Sequence, residues 1–213
     1  MPVLPPRYFS QVLLGLALGI SAGSLRAAVV HVVTTPPVQT SPFIPSTFLD
    51  LDGNGVTELE ISNGFGSLML LPSPGNRLTV ELEGLRVARV STDTILSTDL
   101  DEDLLRWAGS RSPTLGPVFQ SCFSNGAGRF CSGNFQIEPG YYGIEFDIAG
   151  ELHYGWIRAV ADRTFVISTT FEWAYEDVPG RPIAVGAIPE PSTGVLLFTG
   201  LAIFANRRRP RRS

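Results

Sequence analysis

Apolar and polar residues alternate with period two along much of the interior of this chain. Leu78, Val80 and Leu82 alternate with Thr79, Glu81 and Glu83, the pattern of a strand with one face in a core. Val29, Val30, Val32 and Val33 around His31 form a short β-branched run. Further strand-like runs cover 56–62, 67–71, 85–90, 142–148, 152–160, 164–175 and 182–186. Pro74-Gly75-Asn76, Ala149-Gly150-Glu151 and Pro179-Gly180 supply turn chemistry between them. A Pro/Ser/Thr-rich stretch, 34–47, reads as an extended surface segment. One helix is expected, over 98–108, where Leu100, Leu104, Leu105 and Ala108 share a face and acids crowd the first turns. Many short strands with Gly/Pro turns predict an all-β fold, a β-sandwich or jelly-roll with one short helix.

The two ends depart from this pattern. Residues 1–27 carry one early positive charge, Arg7, then an apolar stretch over 12–20 and the small residues Ser21 to Ser24. That is the pattern of a secretory signal peptide. At the other end, the sequence reads Pro189-Glu190-Pro191, an apolar run over 195–205, then Arg207, Arg208, Arg209, Arg211 and Arg212. As a helix, 193–205 would span about 20 Å at 1.5 Å per residue, against about 30 Å of bilayer hydrocarbon. It is a short hydrophobic transmembrane helix whose arginines stay on the cytoplasmic side. The domain reading is therefore 1–27 signal peptide, 28–187 exported β-domain and 188–213 a separate tail of Pro-Glu-Pro, short apolar helix and arginine cluster.

The Pro-Glu-Pro tripeptide, apolar helix and terminal arginine cluster together resemble the PEP-CTERM sorting signal of exported bacterial proteins. The resemblance implies recognition and cleavage by a membrane-embedded exosortase, after transient residence in the inner membrane. It also implies an end point at the cell surface or in the extracellular, exopolysaccharide-associated matrix. A looser resemblance to the C-terminal half of such proteins runs over 141–191 and implies a shared fold module rather than a chemistry.

Removing the ends changes the charge. The whole chain is formally −4, but nine arginines and nineteen acids lie between 29 and 188, a net of about −10. Such a surface repels nucleic acid and suits divalent cations. The stretch Asp50-Leu51-Asp52-Gly53-Asn54-Gly55-Val56-Thr57-Glu58 offers oxygen ligands at alternate positions. Asp50, Asp52 and Asn54 supply side chains, Val56 a backbone carbonyl and Glu58 a carboxylate, a set suited to Ca²⁺. An EF-hand needs a bidentate Glu where Ile61 stands. The stretch is similar instead to the Ca²⁺-binding turns of integrin-type propeller repeats; the alternative is a tight turn without metal.

Cys122 and Cys131 are the two cysteines of the chain. In an oxidising compartment they are expected to close a flexible loop as a disulfide. Strand aromatics such as Trp156 and Trp173 are either core or an exposed glycan platform. The acidic run Asp99, Asp101, Glu102 and Asp103 reads as a solvated helix start. No nucleophile elbow, histidine cluster or phosphate loop stands in the sequence. The expectation is a non-enzymatic exported surface protein with a structural Ca²⁺. The alternatives are a glycan-binding module and, behind it, a secreted hydrolase.

Overall fold

The computed structural model describes residues 28–189, apart from 65, 101–103, 113 and 127. The signal-peptide segment 1–27 lies outside the described residues. So does the sorting segment from Glu190 onward, including Pro191 and the tail arginines.

The described chain is all-β, and every strand ladder is antiparallel. The strands are β1 (Val29–Thr40), β2 (Ser46–Leu49), β3 (Leu59–Gly64), β4 (Ser67–Pro72), β5 (Arg77–Glu81), β6 (Ile95–Leu96) and β7 (Leu105–Ala108), followed by β8 (Val118–Asn125), β9 (Gly128–Ser132), β10 (Gly140–Ile148), β11 (Glu151–Ala161), β12 (Ser168–Glu176) and β13 (Ile183–Ala184). They form a six-stranded sheet in the order β1-β12-β11-β10-β5-β7, a five-stranded sheet β2-β3-β4-β8-β9, and the small pair β13-β6. Among the described residues, no helix is long and apolar enough to cross a membrane.

The centre of the six-stranded sheet follows directly from sequence. β10 and β11 pair from Gly140↔Ala159 to Ile148↔Glu151. Their two-residue turn, Ala149-Gly150, has positive φ at both positions, 57° and 89°. That combination matches the right-handed twist of a hairpin, and Asp147 Oδ1 closes it by accepting the Gly150 N–H at 2.8 Å.

The two larger sheets contribute to one buried cluster. Leu59, Ile61, Leu68, Leu70 and Phe119 come from the five-stranded sheet, and Tyr142, Ile144, Phe146, Ile157 and Trp173 from the six-stranded one. Phe119 meets Tyr142 edge-on at 5.9 Å between ring centroids. A second cluster joins Tyr154, Trp156 and Ala174 to Leu96, Leu100, Ile183 and Val185. The small β13-β6 pair thus packs on the other face of the six-stranded sheet. The central strand β11 is consequently buried on both faces, which is why its sequence is a nearly continuous apolar run.

Four expectations are corrected. The helix expected over 98–108 is replaced at its C-terminal end by β7, which pairs with β5 from Leu78↔Ala108 to Glu81↔Leu105. Leu100 is buried while Leu104 is 75% exposed, so the presumed helical face is split. The Pro/Ser/Thr-rich stretch does not leave the sheet at once: β1 runs to Thr40 along β12, with a register shift between Val33 and Val38. Residues 85–90 form only isolated bridges, among them Val80↔Val87 and Val90↔Tyr141. Finally, the segment between the cysteines is a hairpin, with Cys122 directly opposite Cys131.

Candidate metal centre

The loop between β2 and β3 carries the acidic stretch. Its ends are fixed by the buried pair Leu49↔Leu59 and by the Glu58 N–H donating to the Leu49 carbonyl at 3.0 Å. Between them the chain must double back twice. Gly53 and Gly55 do so at φ 77° and 88°, a region that side chains with a Cβ rarely enter. Asp50 organises the turn. Its Oδ1 accepts the N–H groups of Gly53 and Asn54 at 2.7 and 3.1 Å, and its Oδ2 accepts that of Gly55 at 2.8 Å. Asp52 Oδ1 accepts the Asn54 N–H at 3.1 Å.

Glu58 differs from the two aspartates in being buried, with 2% of its surface exposed. Its Oε2 accepts the Leu51 N–H at 2.6 Å. Burial pushes the carboxyl above its usual range; the Leu51 hydrogen bond pulls the other way, and the charges of Asp52 and Asp50 add to the upward push. A carboxylate that is both desolvated and beside two like charges is costly unless a cation joins it. Asp50, Asp52 and Glu58 each present an oxygen, and these atoms lie within 4.8 Å of one another. Oxygens bound to one Ca²⁺ at 2.3–2.6 Å can stand at most about 5 Å apart. The three carboxylates therefore form a group that could hold a metal ion, and their hard oxygen donors fit a divalent cation of that class.

Asn54 is used differently from the expectation. Asn54 accepts the Val56 N–H on Oδ1 at 2.6 Å and donates Nδ2 to Asp52 Oδ2 at 2.7 Å. Its amide thus closes the turn, and the NH₂ occupies an oxygen that a cation would want. Val56, expected to give its backbone carbonyl, is 60% exposed.

Residues that sequence alone did not connect to the loop hold it to both large sheets. The Leu51 carbonyl accepts the Trp173 indole N–H at 3.0 Å. The Glu58 carbonyl accepts the Ser73 N–H at 3.0 Å and the Asn76 side-chain amide at 3.1 Å. Asn76 Oδ1 in turn accepts the Asp147 N–H at 3.1 Å on β10. Tyr175 stands close by: burial raises its phenol above the usual range, with Asp52, Asp177 and Glu58 adding to the shift. Asn76 was legible only as a turn residue, and nothing local ties Trp173 to Leu51 across 122 positions.

The remaining candidates fall elsewhere. Trp156 and Trp173 are 1% and 8% exposed, so these rings pack the core and present no platform to a glycan. Trp156 meets Tyr141 edge-on at 5.2 Å. Cys122 and Cys131 are joined as a disulfide. His31 Nε2 lies 2.9 Å from Glu172, and Arg158 reaches the same carboxylate at 3.0 Å. His153 is buried, with Nδ1 2.8 Å from the Glu176 carbonyl. In the acidic run, Asp99 is exposed, and Asp101, Glu102 and Asp103 lie outside the described residues.

No family model, no curated protein and no solved structure matches the chain.

Proposed function

We propose that the chain is a non-enzymatic exported β-sandwich protein of the cell surface or extracellular matrix. In this reading Asp50, Asp52 and Glu58 hold a structural Ca²⁺ that fastens one end of the sheets. The observation that carries the metal reading is the convergence of two partly exposed aspartates on the buried Glu58, within 4.8 Å. The sandwich reading rests on the cluster shared by the two large sheets. Export is supported by the Cys122–Cys131 disulfide, a bond that persists in oxidising compartments, and by the signal-peptide pattern of residues 1–27. The sorting step rests on Pro189-Glu190-Pro191, the apolar run and the arginine cluster. They make an exosortase-type membrane enzyme the processing partner and the exopolysaccharide matrix the destination.

The metal reading is tested with Tb³⁺, which takes Ca²⁺ sites and emits when a nearby indole is excited. Trp173, bonded to Leu51, supplies that indole. Sensitised emission that Ca²⁺ displaces, and that Asp52→Ala removes, is the expected result; emission unchanged in Asp52→Ala would refute the site. A second reading, a glycan-binding module, cannot use Trp156 or Trp173 as its surface. A separate cleft favours it.

A further inference from the structure

A cleft of about 710 Å³ opens beside the metal loop, inside the roughly 300–1,000 Å³ range of small-molecule sites. Its lining includes a row of cross-strand neighbours: Phe48 on β2 faces Glu60 on β3, and Glu60 faces Leu71 on β4. Arg77, the first residue of β5, and Ser110 and Ser112, from the segment after β7, also line it. Phe48 is 62% exposed. Of the other exposed phenylalanines, Phe123 and Phe130 stack on each other at 5.7 Å, and Phe43 and Phe165 line no part of this cleft. Phe48 instead stands in a cleft among hydroxyl, carboxylate and guanidinium groups.

The charges in the cleft narrow its occupant. Glu60 Oε1 accepts the Ser46 hydroxyl at 2.8 Å, and Oε2 has no hydrogen-bond partner among the described residues. Arg77 gives its Nε to the buried Glu145 and leaves the side chain 46% exposed, so its terminal nitrogens remain donors. With the Arg77 charge offset by Glu145, Glu60 leaves the cleft a single negative charge, on a body of about −10. A polyanion is repelled by that field, and a polycation finds a single carboxylate to meet. An aromatic face rimmed by both donors and acceptors matches an uncharged ring bearing hydroxyls, apolar on its C–H face and polar at its edge. We propose that this cleft is a subsite for a neutral oligosaccharide, with Phe48 as the stacking surface and Glu60 as an acceptor for sugar hydroxyls.

The inference does not rest on the calcium reading, because Phe48, Glu60 and Leu71 are placed by the β2-β3-β4 ladder. The cleft does share a wall with the metal loop: the Ser73 hydroxyl donates to the Thr57 carbonyl. The test is calorimetric titration of the full chain with cellohexaose, maltohexaose and N-acetylchitohexaose, each in Ca²⁺ and in EDTA. At least one hexasaccharide should bind in one of the two buffers. Phe48→Ala should weaken it about tenfold, or about 1.4 kcal/mol, with an unchanged melting temperature because the ring is exposed. Phe48→Trp should retain binding, Glu60→Gln should weaken it, and anionic oligogalacturonate should not compete. The proposal is overturned if no neutral hexasaccharide binds in either buffer, if Phe48→Ala binds as wild type does, or if oligogalacturonate binds more tightly. Saccharide binding together with a melting curve indifferent to Ca²⁺ would sink the metal site alone.

Discussion

Replacing Glu58 with glutamine should change stability in opposite directions with and without Ca²⁺. In the metal-free protein the buried carboxylate sits beside Asp50 and Asp52 and has its pKa raised above 4.5 by burial and by those charges. The folded state therefore binds more protons than the unfolded state in the window above 4.5. Where that holds, stability falls as pH rises. This group's contribution is fully present below 4.5 and is lost as pH rises through the elevated folded value. Glutamine has the same shape, keeps an acceptor for the Leu51 N–H, and removes the charge. Metal-free Glu58→Gln should then melt at or above the wild-type temperature at neutral pH, and its advantage should vanish on acidification. With Ca²⁺ the order reverses. The site has three carboxylates and an open rim, which suits an affinity nearer the ~10⁻⁴–10⁻³ M of extracellular modules. At about 100 times its dissociation constant, a ligand adds about 2.7 kcal/mol to folding. For a domain of this size that is about 5–10 °C of melting temperature. The assay is differential scanning calorimetry of both forms at pH 5 and pH 7, in EDTA and in 10 mM Ca²⁺. Wild type should show the rise at pH 7 and a smaller one at pH 5, because protonation of Glu58 competes with the metal. Glu58→Gln should lose most of it. An equal Ca²⁺-induced rise in wild type and Glu58→Gln, or none in wild type, would refute the reasoning.

Three further outcomes are expected. Asn76→Ala should cost about 1–3 kcal/mol in urea denaturation, since it leaves the Glu58 carbonyl and the Asp147 N–H each without their Asn76 partner; a loss below about 0.5 kcal/mol, the scale of an ordinary surface substitution, would show that the link between the sheets is not energetic. Non-reducing peptide mapping of exported protein should recover Cys122 and Cys131 in one linked fragment. Replacing both with serine should cost about 2–3 kcal/mol in the chain-entropy picture, and two freely alkylated thiols would contradict the pairing. Intact-mass analysis of surface material should find neither residues 1–27 nor Arg207 to Ser213. Alanine at Pro189, Glu190 and Pro191 should leave unprocessed protein in the inner membrane, and normal release of that variant would count against the sorting reading.

What was legible in the sequence was whatever the chain expresses locally. The Asp50–Glu58 turn could be read because its glycines and carboxylates are neighbours and act on one another's backbone. The β10–β11 hairpin could be read because its alternation and its Ala149-Gly150 turn lie within one stretch. β7 was misread because Leu100, Leu104, Leu105 and Ala108 have helical spacing, and tertiary pairing decided otherwise. The Trp107 indole donates to the Ser97 carbonyl at 2.9 Å, and the Leu82 N–H donates to the Leu104 carbonyl at 3.1 Å, extending the ladder with β5. β8 and β9 were missed because Ser, Asn and Gly dominate their tips, where Phe123 and Phe130 remain exposed.

The links that join the metal loop to the sheets were hidden for a different reason. Asn76 and Trp173 act on Glu58 and Leu51 from 18 and 122 positions away, and such contacts leave no periodic trace in a single sequence. One long-range feature did leave a trace. A strand in a two-layer fold should alternate, yet 152–160 holds Tyr154, Trp156, Ile157, Ala159 and Val160 with little polar relief. That excess of apolar residues is explained only by cover on both faces, and the small β13-β6 pair over Trp156 supplies it. The same run was open to a reading of Trp156 as a glycan surface. Burial settles it as packing and moves any stacking surface to an aromatic that the fold leaves in water, which is the position of Phe48.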